Sequence, residues 1–173
     1  MRVPGPPNLQ TLGSAVVLKA HYTRANTPTS ASKISLSART YALKLRREGT
    51  AERETFSKHQ SGMSREEITT YLHRADARHA YHYRFVISPG TDRNAEGVNL
   101  SDYTRRILHE ERVRGQVSWI AVAHVGEGAH TENAHIHLLL SVDTRFSCKE
   151  LRTLRTLAER IWQTLRRSGE ENL

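Results

Sequence analysis

The sequence is poor in the residues that staple, span or interrupt a chain. Its 173 residues include a single cysteine, Cys148. One thiol excludes an intrachain disulfide and any cysteine-based metal cluster, which suits a reducing compartment. No stretch approaches the ~18 consecutive apolar residues of a membrane span, so membrane insertion is not expected. Proline occurs five times, three of them in the opening MRVPGPPNLQTLG. That opening has no apolar signal-peptide core, and residues 1–13 are expected to form a flexible arm. Acidic residues are the minority charge: 18 Asp and Glu against 26 Lys and Arg, a formal net charge of +8. The balance points to an anionic partner, nucleic acid before a membrane surface, or to no more than a solvated basic face. Internal repeats and low-complexity tracts are missing too. The length then suits one domain, residues 14–173, with its own core.

What is there alternates between strand-like and helix-like segments. AVVLKAHYT (15–23) is rich in branched and aromatic residues and reads as a first strand. A turn-rich loop around Pro28 follows, then a helix from about Ser32 to Arg47 stopped by Gly49. ETFS offers a short strand. SREE at 64–67 is a capping box that opens a helix to about Arg78. YHYRFVIS (81–88) is a strand closed by Pro89 and Gly90. LSDYTRRILHEERVR (100–114) is a helix, and VSWIAVAHV (117–125) and AHIHLLLSV (134–142) are strands joined by a hairpin-length loop. SCKE at 147–150 is a second capping box. It opens a long helix with Leu151, Leu154, Leu157, Ile161, Trp162 and Leu165 along one side. This order implies an α+β fold, a mostly antiparallel sheet of about five strands with helices packed on it.

Two histidines flank one isoleucine in AHIHLLLSV. Alternate residues of a strand share a face, so His135 and His137 point together, ~6.5 Å apart along the strand. Ile136, Leu138 and Leu140 point to the other face. Two imidazoles at that spacing are either ordinary satisfied histidines or part of a metal site. A third ligand is available in His124, at the end of the preceding strand, or in His130, in the connecting loop. Neutral imidazole suits Zn, Mn, Co, Ni or Fe better than Mg. Three histidines leave coordination positions open, as a catalytic centre requires. Glu132 is a candidate for orienting one of the rings.

WIAVAH, a polar loop and TENAHIHLLL together resemble the histidine motif of conjugative relaxases, members of the HUH endonuclease superfamily. YHYRFVISPG resembles their strand ending in Ser-Pro, and LSDYTRRILHEE the helix after it. KAHYTR followed by ARTYALKLRREG resembles the segment bearing the nucleophilic tyrosine. The likeness covers roughly residues 15–145 and is nearest to relaxases of the tumour-inducing-plasmid type. Ala134 stands where proline is common in that motif, and the arginines after Tyr41 come late, at Arg46 and Arg47.

The resemblance implies a palm-like HUH fold and a metal-dependent nick at a transfer origin. It implies Tyr41 as nucleophile, a 5′-phosphotyrosine intermediate and a free 3′ hydroxyl. All six tyrosines precede the histidine motif, the relaxase order; Tyr22 is the runner-up. His124, His135 and His137 would hold one divalent ion, Mn²⁺ or Mg²⁺, with His130 the alternative third ligand. Lys33, Arg39, Lys44, Arg46 and Arg47 would contact single-stranded origin DNA. Accessory mobilisation proteins, a type IV secretion coupling protein and a bacterial cytoplasmic setting are implied as well. Two other readings fit the residues: a single-strand nucleic-acid-binding module without chemistry, and a metal-dependent phosphodiesterase using water.

Overall fold

A computed structural model describes residues 16–24, 54–89, 98–110, 117–124 and 134–170. The five strands are β1 (Val17–Arg24), β2 (Thr55–Ser57), β3 (Tyr81–Ser88), β4 (Ser118–His124) and β5 (His135–Val142). Three helices are described: α1 (Arg65–Arg78), α2 (Leu100–Glu110) and α3 (Cys148–Glu170). The strands form one sheet in the order β1-β3-β5-β4-β2, and every neighbouring pair runs antiparallel. The α+β architecture expected from the sequence is present. The helix expected over 32–47 lies outside the described residues, as do residues 111–114 of the helix expected over 100–114.

Local chemistry explains the elements. At the head of α1, Ser64 Oγ accepts from the Glu67 N–H at 3.2 Å and the Ser64 N–H donates to Glu67 Oε2 at 2.7 Å. The same reciprocal box opens α3, between Ser147 and Glu150. Asn99 caps α2: its Oδ1 accepts from the backbone N–H of Ser101 and Asp102, each at 3.0 Å. Gly62, with φ of 69°, makes the turn into α1 in the left-handed region that favours glycine.

The sheet is covered on both faces, which one-sided alternation along β5 does not suggest. On one face Ile136, Leu138, Leu140 and Val142 of β5 join Tyr83, Phe85 and Ile87 of β3. The apolar side of α3 and Tyr103 and Ile107 of α2 close over them. On the other face Ile68 and Leu72 of α1, with Met63, pack on Ile120 and Leu139. Leu139 therefore shares the histidine face yet is buried beneath a helix. α1 claims the half of that face carrying Ser118 and Ser141, and the histidines lie at the other end of β4 and β5.

Candidate metal centre

The register sets the site. β4 and β5 pair with His124 directly opposite His135 and Val122 opposite His137. Cross-strand partners share a face and hold their Cβ atoms about 5 Å apart, and the diagonal neighbour is within reach of a ring. All three imidazoles therefore project from one face of two central strands. Ring centroids lie 4.7 Å apart for His124–His135 and His124–His137, and 5.0 Å for His135–His137. One nitrogen from each ring lies within 4.8 Å of the other two.

A triangle of such sides has a centre no more than about 2.8 Å from each nitrogen, against ~2.0–2.1 Å for a metal–imidazole bond. Small side-chain rotations close that difference. The three histidines are thus close enough to hold one metal ion. His124 is buried, at 1 % exposure, whereas His135 and His137 are half-buried. The set is anchored on the buried side and accessible on the other. His124 stands close enough to serve as the third ligand; the other candidate, His130, lies outside the described residues, as does Glu132.

Around the triad the same face carries Val86 and Ser88 of β3 and Lys19 of β1. Lys19 pairs with Val86, which pairs with His137. Two inter-strand steps put Lys19 ~10 Å across the sheet from His137. Its side chain is exposed. The Ser88 hydroxyl donates to the Ala134 carbonyl at 3.1 Å, tying the end of β3 to the residue that leads into the two histidines.

Five of the six tyrosines are described, and none lies beside the triad. Tyr22, Tyr81 and Tyr83 project from the opposite face, where their rings meet. Tyr103 is buried in α2, its hydroxyl donating to the Ala158 carbonyl at 3.0 Å, and burial pushes its pKa well up. Tyr71 is on the histidine face but bonds to Ser118, six residues and ~20 Å along β4 from His124. Burial pushes its pKa up to about 12. Tyr41 and the candidate DNA contacts Lys33, Arg39, Lys44, Arg46 and Arg47 lie outside the described residues.

A second polar cluster escaped the sequence reading. The buried His79 ring contacts Asp143 through Nδ1 at 2.8 Å and the Ser118 hydroxyl through Nε2 at 3.0 Å. Nearby, His82 Nδ1 meets Ser141 Oγ at 2.9 Å. Serine, histidine and aspartate so connected suggest acyl-transfer chemistry. Here the His79 side chain is sealed from solvent and Ser118 also bonds Tyr71, so the cluster braces α1 against β4 and β5. No local sequence signal marks it, because its partners are 39 and 64 residues from His79.

Among the described residues no helix is long and apolar enough to cross a membrane. No protein-family model matches the chain, and no curated protein matches it.

Proposed function

We propose that the chain is a relaxase of the HUH kind: a metal-dependent enzyme that nicks one DNA strand at a transfer origin and can rejoin it. The observation that carries this reading is the convergence of His124, His135 and His137 from two paired strands onto one half-open point. Three neutral imidazoles suit a divalent transition ion such as Mn²⁺ better than Mg²⁺. Bound there, the ion supplies Lewis-acid polarisation of the scissile phosphate.

Tyr41 is the proposed nucleophile, and the placement of the other five tyrosines supports it. Its phenol loses a proton and the oxygen attacks phosphorus. The bond from phosphorus to the 3′ oxygen breaks, and that oxygen leaves as a 3′ hydroxyl. The chain is then joined to the 5′ phosphate. Because the bond energy is kept, a 3′ hydroxyl can attack the phosphotyrosine and restore the strand. Lys33, Arg39, Lys44, Arg46 and Arg47 are the proposed contacts to flanking phosphates. Transfer-origin DNA, accessory mobilisation proteins and a secretion coupling protein belong to the same reading.

A pool of end-labelled random single strands, incubated with Mn²⁺ or with chelator, tests it on a denaturing gel. The expected result is a protein-linked DNA band that needs metal and disappears in both Tyr41→Phe and His137→Ala. Cleavage that survives Tyr41→Phe without a linked band means that water is the nucleophile. Tight binding with neither cleavage nor a band means a binding module.

A further inference from the structure

Tyr22 has its back to the histidines, yet it is among the most exposed large apolar side chains described, at 45 %. We propose that Tyr22, with Arg24 and Arg145, forms a second nucleic-acid contact, a stacking platform for one base of a single strand, on the face opposite the histidines. The inference shares with the relaxase reading a nucleic-acid partner but uses neither the metal nor the nucleophile.

Three observations carry it. The first is a ladder of rings running from core to surface. Phe85 stacks on Tyr83 at 5.5 Å, and Tyr83 meets Tyr22 at 5.4 Å. Tyr83 is fixed at its far end, its hydroxyl accepting from the Phe146 N–H at 2.9 Å. Tyr22 is the last rung, packed on Tyr83 and 45 % exposed, with the Arg145 guanidinium over its ring; a base stacks there once that side chain swings to a phosphate. A ring held this way loses little freedom when a base settles on it.

The second is the charge around the ladder. The Arg145 guanidinium sits 4.8 Å from the Tyr22 ring centre, and that of Arg24 lies 5.8 Å from the Tyr81 ring. Both arginines are exposed. A ring flanked by guanidinium groups matches a nucleotide, whose base takes the π-face and whose phosphate takes the cation. The nearby acid, Asp143, is engaged by His79.

The third is continuity. Arg155 of α3 donates through Nε to the Val16 carbonyl at the other end of β1, 3.0 Å away. The start of α3 therefore runs beside β1, and it carries exposed Lys149 and Arg152 between Arg145 and Arg155. A basic strip beside a stacking ring suits a strand lying along the edge. Only an unpaired base can lie flat on the ring, so the ligand is single-stranded.

The test uses the full chain in chelator with a fluorescein-labelled 15-mer of thymidine, read by anisotropy. Tyr22→Ala should weaken binding about tenfold, within the range for loss of one stacked base, while Tyr22→Phe stays close to wild type. Arg145→Gln should weaken it severalfold. With 5-iodouracil in the strand, irradiation should crosslink the tryptic peptide Ala20–Arg24. Wild-type affinity in both Tyr22→Ala and Arg145→Gln overturns the proposal. So do crosslinks confined to other peptides, or no binding by the wild type. Failure to form a metal-dependent covalent adduct would sink the relaxase reading and leave this one standing.

Discussion

At the scale of single residues, three histidines from two paired strands stand close enough to share one metal ion. The period of two along AHIHLLLSV puts His135 and His137 on one face, and β5 obeys it. The choice of His124 needed the register, which local sequence does not encode; the structure sets it opposite His135. If the three act as one centre, replacing any of them by alanine should weaken metal binding by more than ~100-fold, beyond what losing an outer hydrogen-bond partner costs. Isothermal titration with Mn²⁺ or Co²⁺ measures this directly, and unchanged affinity in His124→Ala would remove it from the set. His82 gives a second residue-scale prediction. Burial, and then the neighbouring His79, hold its imidazole below the ordinary range. The unfolded chain therefore takes up a proton, from about pH 6.5 downward, before the folded chain does. That contribution to stability is complete above this pH and is lost as pH falls toward the folded value. His82→Gln should show a smaller loss of stability between pH 7 and 5 in urea titrations with chelator present. An equal loss would mean that His82 titrates the same in both states.

At the scale of elements, the boundaries were legible wherever a side chain caps the backbone. Ser64 with Glu67 and Ser147 with Glu150 close the boxes that their spacing implies, so α1 and α3 start where expected. Ser147→Ala should cost about 1 kcal/mol. In a chain of this size that is a fall in Tm of roughly 2–4 °C, measurable by calorimetry. The strand order was not legible, since it depends on packing between segments far apart in sequence. β3 sits between β1 and β5 because Phe85 and Ile87 meet Ile136 and Leu138 in one core. The His79 cluster was hidden for the same reason. It joins the end of α1 to the start of β4 and the residue after β5. His79→Phe would strip Asp143 and Ser118 of a buried partner, at an expected cost of about 2–3 kcal/mol. A loss below ~0.5 kcal/mol would mean that the cluster braces nothing.

At the scale of the whole molecule, the sheet divides the labour between its faces. One face buries the main core under α2 and α3. The other is shared between α1, which covers Ile120 and Leu139, and the histidine site at the opposite end. Both faces are covered because the apolar stripe of α1 needs a surface and Leu139 and Ile120 provide one. A net charge of +8 favours a polyanion throughout. The logarithm of single-strand affinity should therefore fall linearly with the logarithm of salt, by about 0.7 in slope for each phosphate contacted. A flat salt response would argue against a nucleic-acid partner altogether. The central claim, that the three histidines form one metal centre, is tested most directly by titrating the protein with Co²⁺ and following its visible absorption. The expected result is saturation at about one ion per chain, displacement by Zn²⁺, and no such spectrum in His135→Ala with His137→Ala. Saturation that survives this double substitution, or no binding by the wild type, would contradict it.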